Sequence, residues 1–103
     1  MPDDGPKPAV EVISNDVRFH ILMELRTNGK MHISALSDAL GVSWSDVSYN
    51  LAVLKEHDLV ESKLEFSKIP ASKGRVIHVF TINEKPYVEF VKALRKLVES
   101  MIR

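Results

Sequence analysis

The residues best able to do chemistry lie at positions 43–57 and 67–75. If the first stretch is a helix, its apolar residues Val47, Leu51 and Leu54 share one face, at spacings of four and three. The opposite face then carries hydroxyl, amide, indole and ammonium groups, which can form hydrogen bonds with phosphates and with the edges of bases. This outer face consists of Trp44, Ser45, Ser48, Tyr49, Ala52 and Lys55, with Asn50 at its margin.

Positive charge is concentrated around the second stretch. Lys63, Lys68, Lys73 and Arg75 lie close together, with Glu65 as the only acid between them. The whole chain carries fourteen basic and fourteen acidic side chains, so it has no net positive field that would attract a polyanion. Whether it binds nucleic acid therefore depends on where these charges lie. Because each neutralised phosphate contributes a salt slope of about −0.9, we expect modest affinity for nucleic acid that falls steeply with salt.

Other kinds of chemistry find little support in the sequence. The chain has no cysteine, which excludes disulfides, thiolate metal sites and a cysteine nucleophile. It has no nucleophile elbow, phosphate-binding loop or metal signature, so we predict neither an enzyme nor a bound metal or cofactor. The four histidines lack a short ligand spacing and are expected to be surface or packing residues: His20, His32, His57 and His78.

Membrane association is not expected either. No apolar run approaches the roughly 20 residues that a membrane span requires. The start of the chain lacks the basic and apolar segments of a signal peptide, so we expect a cytoplasmic protein. Residues 1–9 hold three prolines and few groups to bury, and we predict that they form a flexible tail.

Helical periodicity organises the first half of the chain. Ser14 or Asn15 can cap a helix whose apolar residues recur at helical spacing until Asn28-Gly29 ends it. A short extended piece, residues 31–33, precedes a short helix capped by Ser34. Gly41 then permits a sharp turn into the next helix.

The second half of the chain begins with the segment that carries the polar face. Ser43 is a suitable cap for a helix over residues 43–57. Residues 59–66 and 76–82 are rich in branched and aromatic side chains and predict the two strands of a hairpin. The order of elements is typical of an α+β, mostly α-helical, winged helix-turn-helix domain over residues 10–83.

A last helix over residues 84–103 carries one wide apolar stripe. Such a stripe must be buried, and a short winged domain seldom covers so broad a face by itself. We therefore predict that this helix joins two copies of the chain into a homodimer. The stripe consists of Tyr87, Phe90, Val91, Leu94, Leu97, Val98 and Met101.

Several of these segments resemble a known family. Residues 15–22 resemble the opening helix of ArsR-type winged-helix repressors. Residues 36–43, 47–51 and 53–61 are similar to the helix-turn-helix core of that superfamily, and Gly74-Arg75 with residues 80–82 resembles the return strand of its wing. MarR-like regulators share the same pattern.

The resemblance implies a dimeric transcriptional regulator, which we expect to be a repressor bound to double-stranded DNA. Residues 43–57 would lie in the major groove, and the wing, residues 67–75, would touch the backbone or the minor groove. The first and last helices would build the dimer. The sequence does not identify an effector ligand. Positions that commonly contact DNA in the family match Ser45, Ser48, Tyr49 and Asn50.

Two alternatives remain open. Family members usually place basic or amide side chains on the reading helix, whereas this chain has Trp44, Asp46 and Tyr49 there. That composition, with the zero net charge, favours a winged-helix module that binds proteins and not DNA. Non-specific coating of DNA is weaker as an alternative, because proteins of that kind are usually strongly basic.

Overall fold

A computed structural model describes residues 6–68 and 74–102. These residues form five α-helices and three β-strands, in the predicted order but with a separate helix in front. The α+β, mostly α-helical, winged helix-turn-helix architecture is confirmed. The helices are α1 (Pro6–Ile13), α2 (Asp16–Asn28), α3 (Ile33–Leu40), α4 (Trp44–Glu56) and α5 (Glu84–Ile102), and the strands are β1 (Lys30–Met31), β2 (Val60–Phe66) and β3 (Val76–Ile82).

Helix α1 occupies part of the segment that we predicted to be a flexible tail. It begins at Pro6, and a proline is well suited to a first helical position. Ala9 and Val12 are buried against the core. The prediction is therefore wrong for residues 6–9, because small and branched side chains three residues apart give this segment a face to bury. The rest of the predicted tail, residues 1–5, lies outside the described residues.

Caps define the ends of α2 and α3. Asn15 caps α2 by accepting a hydrogen bond from the Arg18 amide at 3.0 Å, as predicted. The predicted cap of α3, Ser34, is wrong. The cap is His32, whose Nδ1 accepts a hydrogen bond from the Ala35 amide at 2.9 Å. Imidazole can serve here because its neutral form keeps one acceptor nitrogen.

The turn between α3 and α4 depends on Gly41, which adopts a left-handed conformation with φ of 67°. This conformation costs a residue with a β-carbon about 1–2 kcal/mol. The Gly41 amide donates to the Ser37 carbonyl at 2.9 Å, and the Ser37 hydroxyl donates to the Val42 carbonyl at 2.6 Å. These bonds fix the direction in which α4 leaves α3.

The three strands form an antiparallel sheet in the order β1-β3-β2. Strands β2 and β3 pair along their length, from Val60 opposite Ile82 to Phe66 opposite Val76. Strand β1 pairs only with the inner end of β3. At the outer end the Ser67 amide donates to the Arg75 carbonyl at 2.7 Å. The hairpin is therefore anchored at its inner end and extends outward as the wing.

A single apolar core joins the helices to the inner half of the sheet. The stripes predicted for α2 and α4 both contribute to it, which brings the two helices together. Burial of this kind is the main favourable term in folding. The buried members are Ala9, Val12, Ile21, Leu22, Leu25, Leu36, Val47, Leu51, Leu54, Leu59, Val60, Phe80 and Phe90.

Helix α5 starts against the body of the domain and then extends away from it. The preceding residue, Asn83, donates its amide to the Leu59 carbonyl and its side-chain nitrogen to the Asp58 carbonyl, each at 2.9 Å. The first turns of α5 pack on the core, whereas Met101 and Ile102 near its end are exposed. The described chain is accordingly elongated, at 54 × 25 × 23 Å. Among the described helices none is long and apolar enough to cross a membrane.

One ion pair on the sheet predicts a pH effect on stability. The Lys30 ammonium lies 2.8 Å from Glu65, and this hydrogen bond lowers the pKa of Glu65 below its ordinary value. A lowered pKa contributes stability above the ordinary value of about 4.3 and loses it as the pH falls through the folded value. We expect the free energy of unfolding of Lys30→Met to lie below that of the wild type at pH 7, and the difference to be smaller at pH 3, because protonation of Glu65 removes its charge interaction with Lys30.

Urea unfolding at both pH values measures this difference, and Lys96→Met on α5 serves as the control. That variant also removes a lysine, but from an element that does not form the pair. A difference between Lys30→Met and the wild type that stays constant from pH 7 to pH 3 would contradict the prediction.

Candidate nucleic-acid interface

Helix α4 separates its side chains into an inner apolar face and an outer polar face. Val47, Leu51 and Leu54 are buried, as their spacing predicts. On the outer face Trp44 is 57% exposed and Tyr49 is 64% exposed. Ser45 and Ala52 are exposed and Ser48 is half-buried on the same side. The outer face is therefore open to a partner along its N-terminal half, where a helix that enters a groove makes its base contacts.

The first turn of α4 combines a cap with an acidic side chain. The Ser43 side-chain oxygen accepts a hydrogen bond from the Asp46 amide at 3.1 Å, and its hydroxyl lies 3.3 Å from that of Ser45. A return bond from the Asp46 carboxylate to the Ser43 amide is not found among the bonds of the described residues. Asp46 is exposed. Its negative charge therefore opposes phosphate near the start of α4, which leaves attraction of phosphate to residues elsewhere.

Asn50, predicted to read bases, faces the interior instead. It is 4% exposed, and its Oδ1 accepts a hydrogen bond from Arg18 Nε at 3.1 Å. Its Nδ2 donates to the Asp46 carbonyl at 2.9 Å. The prediction of a DNA contact at Asn50 is wrong, because the packing of α2 on this margin of α4 turns the amide towards Arg18.

Helix α1 is tied to α4 at two places. Arg18 is itself buried and donates from Nη1 to the Glu11 carbonyl at 2.6 Å, while its Nε donates to Oδ1 of Asn50. Further along, the Glu11 carboxylate lies 3.3 Å from Nε2 of His57, the C-cap residue that follows α4. The Arg18 side chain therefore links α1 and α2 to the middle of α4.

The wing supplies the cations that α4 lacks in its first turns. The hydrogen bond between the Ser67 amide and the Arg75 carbonyl closes the described part of the hairpin. The side chains of Arg75 and of Lys68, the residue after Ser67, are both exposed there. Lys73 lies outside the described residues. Lys55 is exposed in the last turn of α4, and its Nζ donates to the Ser62 hydroxyl of β2 at 3.0 Å.

The start of α4 and the base of the wing face a common depression. Its volume is about 850 Å3, and Trp44 and Arg75 both line it. The lining also includes His32 and Asp38 from the α3 side and Val76 from β3. The outer face of α4 and the basic end of the wing are thus neighbours on one side of the molecule.

The comparisons with known proteins agree with this geometry. Residues 13–63, about half of the chain, match the family model described as a helix-turn-helix domain. Over these residues the chain is a helix-turn-helix domain, and together with the β2–β3 hairpin its fold is that of a winged helix-turn-helix protein. No curated protein matches the chain by sequence.

Solved structures of low sequence identity share the fold. A transcriptional regulator homologue from Pyrococcus horikoshii OT3 is 19% identical, with a TM-score of 0.66 and 88% of each chain covered. A possible transcriptional regulator for arsenical resistance is 21% identical, with a TM-score of 0.64, 91% of this chain and 83% of that chain covered. The transcriptional repressor BigR from Xylella fastidiosa is also 21% identical, with a TM-score of 0.62 and coverages of 88% and 83%.

The apolar stripe of this winged helix-turn-helix protein divides into two parts. Phe90 is buried in its own domain, so its prediction as a dimer contact is wrong, because α1 packs against α5 and covers its start. Tyr87 and Leu94 are partly buried against the same core. The remaining members are exposed or half-buried towards the end of α5: Val91, Leu97, Val98 and Met101.

Two residues that shape this winged helix-turn-helix site escape prediction from the sequence. The apolar periodicity of α2 gives Arg18 no special role, and His32 is expected only as a surface or packing residue. A charged residue between apolar positions of α2 is the signal that could have identified Arg18 as buried. The described residues contain no group of three or more side chains able to hold a metal ion.

Proposed function

We propose that the protein is a homodimeric, sequence-specific transcriptional repressor of the cytoplasm. The observation that carries this proposal is that the exposed outer face of α4 begins at Trp44, which lies beside Arg75 of the wing around one depression. A duplex placed there meets hydrogen-bonding groups from α4 and positive charge from the wing. These are the two kinds of contact that DNA recognition needs, since base contacts specify and phosphate contacts position.

In the proposed complex, α4 enters the major groove with its N-terminal half. Ser45, Ser48 and Tyr49 contact phosphates or base edges, and Trp44 packs on sugars or a thymine methyl group. The wing cations, Lys68 and Arg75 together with Lys73, bind phosphates along the backbone or the minor groove. Because Asp46 adds a negative charge to α4, the affinity is modest and depends strongly on salt.

Dimerisation completes the site. The exposed end of α5 in one copy packs on the same surface of the other, with Val91, Leu97, Val98 and Met101 in the interface. Two reading helices about 34 Å apart then face successive turns of a pseudo-palindromic site. A dimer bound across a promoter represses by excluding other proteins from the DNA.

Selection of bound duplexes from a random pool at two salt concentrations tests the proposal. Replacing Lys68 and Arg75 by alanine should weaken binding to every sequence and reduce the salt slope by about 0.9 for each phosphate that is no longer neutralised. Replacing Ser48 and Tyr49 by alanine should instead lower the preference for the selected site by about 1–3 kcal/mol for each base that is no longer read.

Ser100→Ala, on the exposed side of α5, is the control for both pairs and should bind like the wild type. Fluorescence anisotropy with the selected duplex and a scrambled duplex gives both quantities. If the wild type retains no duplex even at low salt and recovers a partner protein in a pull-down, the protein-binding alternative replaces this proposal.

A further inference from the structure

The outer half of the β2–β3 hairpin, at the base of the wing, carries an apolar patch that the domain does not cover. Leu64 is 61% exposed, Phe66 is 71% exposed and Val76 is 55% exposed. Phe66 lies opposite Val76 in the register of the hairpin, and Leu64 lies opposite His78. Directly paired residues and residues two apart on a strand share a face, so these three side chains lie together. We call them the wing patch.

The wing patch continues the face of the sheet that forms the core. Val60 and Phe80 belong to the same face and are buried at the inner end of the hairpin. The helices cover only that inner end, and the same face beyond it remains exposed. Contiguous exposed apolar surface of this kind marks a surface for a partner.

The charges around the wing patch indicate which partner. Lys68 lies two residues after Phe66 and Arg75 directly precedes Val76, and both are exposed; Lys63, opposite Val79, lies on the other face of the sheet. The only acid on the outer half of β2, Glu65, forms an ion pair with Lys30 at 2.8 Å. An apolar surface with cations at its outer end suits a polyanion that also presents apolar groups, which is the composition of the minor groove of DNA with its sugars and flanking phosphates.

We propose that the wing patch is an apolar wedge for the minor groove, with Phe66 as its main contact. Phe66 packs against deoxyribose and the edge of a base step, while Lys68 and Arg75 hold the phosphates on either side. This inference rests on the proposed function and deepens it. It adds a contact that responds to the width of the groove and is independent of the bases read by α4.

The salt dependence of binding separates this contact from the ionic ones. Phe66→Ser should lower affinity for the selected duplex about tenfold, the size expected for burying part of an aromatic side chain. The salt slope should stay at the wild-type value, because an apolar contact releases no counterions. Lys68→Ala should instead reduce the slope by about 0.9 per phosphate contact.

Two further variants keep the test decisive. Phe66→Leu preserves an apolar side chain and should bind within about threefold of the wild type. Val88→Ser, an exposed apolar residue of α5, should have no effect on binding. Since Phe66 is exposed, the thermal unfolding midpoint of Phe66→Ser should match that of the wild type.

Each adverse result is distinct. Unchanged affinity of Phe66→Ser, or a weaker affinity accompanied by a smaller salt slope, overturns the wedge. A change in sedimentation without a change in DNA affinity assigns the wing patch to contacts between copies and also overturns it. Failure of the wild type itself to bind any duplex rejects the proposed function, whatever Phe66 does.

Discussion

Replacing Val98 and Met101 by aspartate is expected to convert the protein into a monomer and to weaken binding to a pseudo-palindromic duplex by about 10²–10⁴-fold. Both side chains are exposed in the isolated chain and lie on the free end of α5. In the proposed dimer they are buried, so two carboxylates on each copy would have to lose water without a partner. The large decrease in affinity follows because each half-site then binds alone.

Sedimentation and anisotropy on a full site and on a half-site measure this effect. The double variant Lys92→Gln, Lys96→Gln lowers the net charge by the same two units on the opposite side of α5, and it should remain dimeric. Affinity of the aspartate variant for the half-site should stay near the wild-type value, since α4 and the wing are unchanged. A wild type that sediments as a monomer, or an aspartate variant that sediments as a dimer, contradicts the prediction.

Replacing Arg18 by methionine should lower the free energy of unfolding by about 1–3 kcal/mol, the cost of leaving one buried acceptor unsatisfied. The variant leaves Oδ1 of buried Asn50 without its donor, whereas the Glu11 carbonyl keeps the hydrogen bond from the Ser14 hydroxyl at 2.9 Å. Because the same bonds orient α4, the variant should also show a weaker preference for its selected duplex.

A second destabilised variant separates stability from orientation. Leu25→Ala, also on α2, removes a buried core side chain and should cost about 2–5 kcal/mol without touching Asn50. At a temperature where both variants are folded, only Arg18→Met should alter the fluorescence of Trp44. This residue is the single tryptophan of the chain and the first residue of α4. If the two variants change Trp44 fluorescence and site preference equally, Arg18 contributes to stability alone.

Local rules in the sequence were sufficient for much of the fold. The apolar spacing of α2 and α4, the caps at Asn15 and Ser43 and the left-handed Gly41 all have the predicted roles. The strand boundaries of β3 also match, because branched and aromatic residues are crowded there. Such features depend on neighbours a few residues away, so a single sequence contains the information.

The errors share a different cause. Asn50 on the margin of a helix could turn outward to bases or inward to Arg18, and only the packing of α2 on α4 decided between them. Likewise Phe90 could cover a second copy or its own core, and the approach of α5 to the body of the domain decided. The sequence could not separate these outcomes, since both satisfy the same periodicity.

By itself, the sequence determined the order of the elements that follow α1, the helix-turn-helix with its wing, and the absence of cysteine chemistry. The tertiary structure alone decided that Arg18 is buried beside Asn50 and that α1 is tied to both the middle and the end of α4. It also decided that the apolar face of the sheet continues past the core as Leu64, Phe66 and Val76. The physical reason is that periodicity assigns a residue to a face, whereas the cover over each face comes from elements distant in the chain.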